Sequence, residues 1–262
     1  MVDAVVLAGR RNAGRLASVS DVAWEALIPV AGRPMVQWVI EALEGSESVS
    51  RILLVGAPEV QSAVRGKKVS AVTPGVDLLT SLSRGIRASN RSCPVLVVTG
   101  DLPLLTPEAV EDFLDQCSET SAEFYYPIIS KQLNEAKYPG MRRTYGRVRD
   151  GTFTGGNIVL VEPAAFYRCY DRIAAFVRHR KNPLRQASLL GWTFTVRLLA
   201  GTLTVEQVER RVREIFGVRA VAVWARYPEI AVDVDKPSDL QLVNSVLSGR
   251  FPSAGAQGCA KV

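Results

Sequence analysis

The feature that most constrains this chain is the rhythm of its first half. Short apolar runs at Ala4 to Leu7, Arg51 to Gly56, Val69 to Val72 and Pro94 to Thr99 alternate with stretches patterned as amphipathic helices. Runs this short suit strands, and strands separated by helices can pair side by side only as a parallel sheet with helices covering its faces. Helices are expected at Pro34 to Leu43, with proline in the first turn, up to about Val64, and at Asp77 to Ala88. Another runs from Thr106, a capping residue followed by Pro107, to about Cys117. The second half is less regular. Strands are expected at Phe124 to Ile129, Tyr145 to Val148, Asn157 to Val161, Arg219 to Ala225 and Ile230 to Val234, and helices at Pro163 to Val177, Val205 to Ile215 and Pro237 to Leu247. The fold class is therefore α/β: one Rossmann-like three-layer domain over residues 1–247 with a mixed, mainly parallel sheet, and a small, polar tail at 248–262 expected to be disordered.

With 262 residues and 47% hydrophobic content the chain can bury a sizeable core without disulfide or metal staples. Cys93, Cys117, Cys169 and Cys259 are scattered without a CxxC pair, as in reduced cytoplasmic proteins, and the N-terminus enters a strand without a signal-peptide pattern. A formal charge of +6 favours anionic ligands in general. The arginines are dispersed and not interleaved with aromatics, so nucleic acid is not an expected partner. The apolar region from Ala187 to Val205 is broken by glycines, threonines and Arg197, which argues against a spanning helix. It reads either as a buried helical hairpin capped by the basic run Arg178-His179-Arg180-Lys181, or as a peripheral membrane contact through 178–205.

In open α/β sheets ligands bind beyond the carboxyl ends of the strands, which directs attention to four loops. The first follows "VVL": Ala8 and Gly9 let backbone approach a phosphate, and Arg10, Arg11 and Arg15 add positive charge, although an ordinary turn has the same glycine pattern. The second, Thr99-Gly100-Asp101-Leu102-Pro103, sets an acid directly after the most apolar strand. A carboxylate there is costly unless paired or bound to a cation, and Mg²⁺ shared with substrate phosphates would satisfy it; a turn-capping aspartate is the alternative. The third is Asp233-Val234-Asp235-Lys236-Pro237, where strand alternation would set Asp233 and Asp235 on one face, with Asp235 at the strand end the better ligand and Asp239 in the first helical turn. The fourth is Thr154-Gly155-Gly156-Asn157, read as a ligand-contacting strand start or a plain turn.

These features, in this order, resemble the nucleotidyltransferase family with a glycosyltransferase-A-like fold, and within it the molybdenum-cofactor guanylyltransferase-like NTP transferases. The similar stretches are "VVLAGR", "LIPVAGRPMVQWVIEAL", "GDLPLLTPEAV", "GGN" and "DVDKPSDL". The resemblance implies a Mg²⁺-dependent transfer of an NMP group from an NTP to a small, phosphorylated acceptor with release of pyrophosphate. It implies that Leu7, Ala8, Gly9, Arg10, Arg11, Gly75, Ser81 and Asp101 line the nucleotide, that Arg10, Arg15 and Asp101 serve catalysis, that Asp101 and Asp235 hold Mg²⁺, and that Gly156 and Asn157 meet the acceptor.

Two departures stand out. The family's second glycine after the alanine is replaced by Arg10, and a lysine expected before "LIPVAGRP" is missing, with Glu25 at or beside its place. An acid there would repel a triphosphate by an amount on the order of kcal/mol unless it turns away. Two readings follow: an active nucleotidyltransferase whose arginines replace the lysine, or a catalytically inactive or regulatory nucleotide-binding protein. Transfer from a nucleotide-sugar, with Asp233 and Asp235 as its D-x-D, is a third. The stretches 131–149 and 166–203, with Arg142, Arg143, Arg147, Arg178, Arg180 and Lys181, are the least family-like and are expected to shape the acceptor pocket.

Overall fold

In the computed structural model, which describes residues 1–178 and 183–250, the first apolar run is strand β1 (Val2–Leu7), inside a nine-stranded sheet. A tight hairpin of β2 (Pro29–Val30) and β3 (Arg33–Pro34) leads into α1 (Met35–Gly45). Strand and helix then alternate as expected: β4 (Val49–Val55), α2 (Pro58–Ala63), β5 (Val69–Val72), α3 (Leu78–Ala88), β6 (Val95–Thr99) and α4 (Pro107–Ser118). The start signals act as their chemistry requires. The Asp77 side chain accepts from the Thr80 backbone N–H, and the Thr106 hydroxyl from that of Ala109.

The second half comprises β7 (Phe124–Ser130), α5 (Lys131–Lys137), β8 (Gly146–Val148), β9 (Gly151–Gly155) and β10 (Ile158–Val161). After these come α6 (Pro163–Arg168), α7 (Tyr170–Arg178), α8 (Pro183–Leu190), α9 (Trp192–Leu199), α10 (Val205–Phe216), β11 (Ala220–Trp224) and α11 (Pro237–Leu247). The sheet order is β5-β4-β1-β6-β10-β7-β9-β8, with β11 on the other edge of β7. Strands β5, β4, β1 and β6 are parallel, β10 runs against both β6 and β7, and β11 is parallel to β7. The sheet is thus mixed and mainly parallel, as expected.

Period-two alternation sorts the apolar side chains onto two buried faces. Ala4 and Val6 of β1 join Ile40, Leu43 and Phe113 beneath α1 and α4, whereas Val5 joins Ile86 and Phe166 beneath α3 and α6. Helix α3 comes close enough that a Cβ at Gly85 would overlap the Val5 side chain, so glycine is a packing requirement there.

Several expectations need correction. Ile230 to Val234 is not a strand: Pro228–Ala231 is a 3-10 turn, and the residues after it run on without a strand partner. The helix expected over Pro163 to Val177 is two helices that part at Cys169. Helix α5 and strand β9 were not anticipated, because 131–137 carries little apolar periodicity and β9 is bounded by glycines. Within 187–205 the chain is helical up to Leu199, but it is not a buried hairpin: Trp192, Val196 and Leu199 are exposed. His179, Arg180, Lys181 and residues 251–262 of the tail lie outside the described residues.

At the amino end of β1, Asp3 is buried. It accepts from Arg51 Nη2 at 2.7 Å, the Asn90 backbone N–H at 2.8 Å and Ser50 Oγ at 3.0 Å. Burial alone would raise its pKa, but these bonds outweigh that and hold it below the usual value. Asp3→Ala should therefore lower unfolding free energy in urea at neutral pH by about 2 kcal/mol. Because the folded pKa is depressed, this contribution is complete above the ordinary aspartate range and is lost as the pH falls below it. The gap between wild type and variant should close as the pH drops below about 4.

Candidate active site

Backbone bonds gather the loops at the carboxyl ends of the central strands. Gly100 N–H donates to Leu7 O at 3.0 Å, so β1 and β6 end together. Val234 N–H donates to Asp101 O at 3.0 Å and brings in the late acidic segment, while Asn157 ties Thr99 to Ile230 through its own carbonyl and N–H. A small apolar cluster lies beneath: Leu16 of the opening loop, Leu104 of the aspartate loop, and Val232 and Val234, packed with Met35 and Val243. Since Val232 and Val234 face inward, Asp233 and Asp235 face the other way. The alternation read from sequence holds without a strand.

Asp101, Asp233 and Asp235 each place a carboxylate oxygen within 4.8 Å of the others. Such proximity resists ionisation of all three. Burial, with the charges of Asp233 and Asp235 added, pushes Asp101 up to about 6 despite the Thr99 hydroxyl, and its Oδ1 is buried without a hydrogen-bond partner. Asp233 is also raised by burial, although Arg143 Nη1 bonds it directly. Asp235 is lowered: partial burial alone would raise it, but the bond from Arg10 Nη1 at 2.8 Å, a hydrogen bond shared with Asp233 and the charges of Arg10 and Arg143 together outweigh that. An acidic trio with one unsatisfied buried oxygen fits a divalent cation. Asp239, at the first turn of α11, accepts from the backbone N–H groups of Asp235 and Lys236 at 3.2 Å and fixes the loop that carries Asp235.

The opening loop is braced. Glu25 N–H donates to Arg10 O at 3.1 Å, Asn12 N–H to Ala23 O at 2.9 Å, and Asn12 Nδ2 to the carbonyls of Ser20 and Val22. Its three arginines do different things. Arg10 lies between two acids, with Nε 3.0 Å from Glu25 and Nη1 on Asp235. Arg11 stacks on Trp24, 4.5 Å from the ring centre, and Arg15 is exposed at the start of a 3-10 turn whose Leu16 is buried. Glu25, only 4% exposed in its side chain, turns into Arg10 beneath the loop; burial raises its pKa against the pull of that guanidinium.

The other sequence-selected residues fall around this centre. Ala8 is buried, Leu7 is partly so, and Gly9 is exposed, its nearest neighbour on the Cβ side being Pro74. Gly75 N–H donates to Ser81 Oγ at 2.9 Å, so the Pro74–Gly75 turn and the start of α3 flank Gly9. Gly156 has a packing reason to be glycine, since a Cβ would meet Ile230 and Pro127 at 2.8 Å. Asn157 keeps a buried Nδ2 without a partner. Two residues gain importance over the sequence reading: Asp233 as a third carboxylate, already signalled by its spacing from Asp235, and Arg143 as its counter-charge, for which no local sequence signal exists.

Fold and site together define an α/β nucleotide-transfer domain with its acidic centre at the ends of β1 and β6. Residues 4–189 match the family model of the MobA-like NTP transferase domain, and the chain belongs to that family. It is similar to the structure of a hypothetical transferase from Thermus thermophilus, with 40% identity, TM-score 0.80, and coverage of 91% of this chain and 99% of that one. Over 85 residues it is 35% identical to 3-deoxy-manno-octulosonate cytidylyltransferase of Synechococcus elongatus, spanning 31% of this chain and 35% of that protein. The match thus covers only about a third of that relative's length. The structure of 4-diphosphocytidyl-2C-methyl-D-erythritol synthase from Anaerococcus prevotii shares the fold at 13% identity and TM-score 0.60, covering 95% of this chain and 98% of that one.

The Arg10–Glu25 pair makes a direct prediction. Arg10→Met strands a buried carboxylate and should cost about 3 kcal/mol of stability. Adding Glu25→Gln should restore most of the loss, giving a large coupling energy in a urea-unfolding double-mutant cycle. Additive losses would show that the two side chains do not support each other.

Proposed function

We propose that this chain transfers a nucleotidyl group from an NTP to an oxygen of a small, phosphorylated acceptor and releases pyrophosphate. The convergence of Asp101, Asp233 and Asp235 within 4.8 Å carries this reading. In it, the acceptor oxygen forms a bond to the α-phosphorus while the bond to the bridging oxygen of the β-phosphate breaks, and pyrophosphate leaves in line. Asp101 and Asp235 would hold Mg²⁺, with Asp233 beside them. Bound there, the cation neutralises charge on the phosphate oxygens and makes the α-phosphorus more open to attack.

The chain's own groups do the rest. Exposed Gly9 offers backbone to the phosphates, between Ala8 and the Pro74–Gly75 turn. Arg10 takes the place of the lysine that resembling enzymes carry. Glu25 supports this assignment, because its carboxylate is spent on Arg10 and so does not oppose the triphosphate. Asn157, with its spare buried donor, is suited to orient the acceptor oxygen. Cys93, Cys117 and Cys169 are free thiols, in keeping with a cytoplasmic setting, and a peripheral membrane contact through 178–205 belongs to this reading as well.

The test is pyrophosphate release from each NTP with Mg²⁺ over a panel of sugar and alditol phosphates. Asp101→Asn should reduce turnover by about a hundredfold or more. Unchanged release would remove Asp101 from the mechanism. With the Asp101 pKa at about 6, its carboxylate is ionised above that pH and protonated below it. Mn²⁺ binding, followed by electron paramagnetic resonance, should therefore weaken as the pH falls through about 6. Glu25→Lys should not tighten NTP binding if Arg10 already provides the cation; a marked gain would assign the phosphate contact to position 25.

A further inference from the structure

Helix α9 is apolar on both sides. Trp192, Val196 and Leu199, spaced to share one helical face, are 57%, 63% and 83% exposed, and Leu189 at the end of α8 is exposed with them. The other side contributes Leu198 to a cleft of about 350 Å³. Val208 and Val212 of α10 wall this cleft, and Phe153 and Val221 of the sheet line it too. Tyr126 and Thr144 also line it. Thr144 adjoins Arg143 in sequence, and Tyr126 is near enough to Arg143 and Asp233 for both charges to act on its phenol. The cleft therefore runs from beneath an exposed apolar helix to the edge of the carboxylate centre.

The surroundings indicate what covers α9. Helices α8 and α9 carry no acidic residue and expose Arg185 and Arg197, while the acids of neighbouring α10 are engaged, Glu206 by Arg210, Glu214 by Arg211, and Glu209, which lines the cleft, by the Ala222 N–H. An isologous dimer through this face would set its basic rim against itself. An anionic lipid surface complements both the charge and the apolar ridge, with Trp192 suited to the interface. No helix among the described residues is long and apolar enough to cross a membrane, so contact would be from the side.

Resting on the transfer reaction above, we propose that the acceptor is amphiphilic: its phosphorylated end lies at the carboxylate centre, its apolar chain lies in the cleft under α9, and it is drawn from an anionic lipid surface on which Trp192, Val196 and Leu199 rest. This goes beyond peripheral contact, since it assigns the acceptor an apolar chain and a seat.

Three measurements on the full chain test it. Wild type should sediment with phosphatidylcholine vesicles that contain phosphatidylglycerol and remain in solution with phosphatidylcholine alone. The triple variant Trp192→Ser, Val196→Ser, Leu199→Ser should lose about tenfold or more in vesicle partition while Mg²⁺–NTP binding is unchanged. Below its micelle concentration, decyl phosphate should bind about tenfold or more tightly than inorganic phosphate, and Val208→Trp, which fills the cleft, should erase that difference. Wild type left in the supernatant with anionic vesicles would overturn the proposal. So would equal binding of the two phosphates, or a dimer in sedimentation equilibrium that the triple variant abolishes. Failure of Mg²⁺–NTP binding in wild type would instead strike the transfer reaction, leaving the vesicle and alkyl phosphate results to decide this proposal separately.

Discussion

Three carboxylates held within 4.8 Å of one another are the constraint around which the rest is arranged. At that spacing each ionised pair repels by about 3 to 4 kcal/mol even at an effective dielectric of 20. The fold resists this in two ways. Arg10 and Arg143 supply positive charge from separate loops, and Val232, Val234, Leu16 and Leu104 anchor the acidic segments in a common apolar cluster. Burial of those anchors, about 1.5 to 3 kcal/mol for each large side chain, exceeds what local turn preferences could supply. The arrangement of the three carboxylates is thus set by hydrophobic packing underneath it.

The same economy explains Glu25. At the surface an acid in this place would be a defect for phosphate binding. Buried against Arg10, it becomes the group that fixes the direction of a guanidinium otherwise attached to a glycine-flanked loop. Arg10 in turn reaches Asp235, so a contact 225 residues apart in the chain closes the site. Asn12 holds the other strand of the loop through the carbonyls of Ser20 and Val22, which keeps the pair from drifting.

Legibility differed between the halves. In the first half β1, β4 and β6 are mostly buried apolar runs separated by amphipathic helices, and the more exposed edge strand β5 keeps that rhythm, so composition and spacing sufficed. In the second half β10 and β9 pair with opposite ends of β7, bending at Gly156 and Asn157, and β11 reaches β7 from a distant part of the chain. Such pairings depend on partners that no local window contains. The segment 230–234 reads as a strand because it alternates, yet its alternation serves the apolar cluster under the site and not a ladder. For α8 and α9 the pattern announced apolar helices but could not say on which side they would be covered.

By itself the sequence determined the α/β class, the parallel core, the cap of α4, and the aspartates that follow apolar runs. These are local: they depend on periodicity, on side chains bonding backbone three residues away, and on an acid placed after a buried strand. Tertiary structure alone decided that Arg143 and Arg10 are the counter-charges of Asp233 and Asp235, and that Glu25 turns inward. Charge pairing is set by distance in space, and only the packed loops bring those charges within reach of one another.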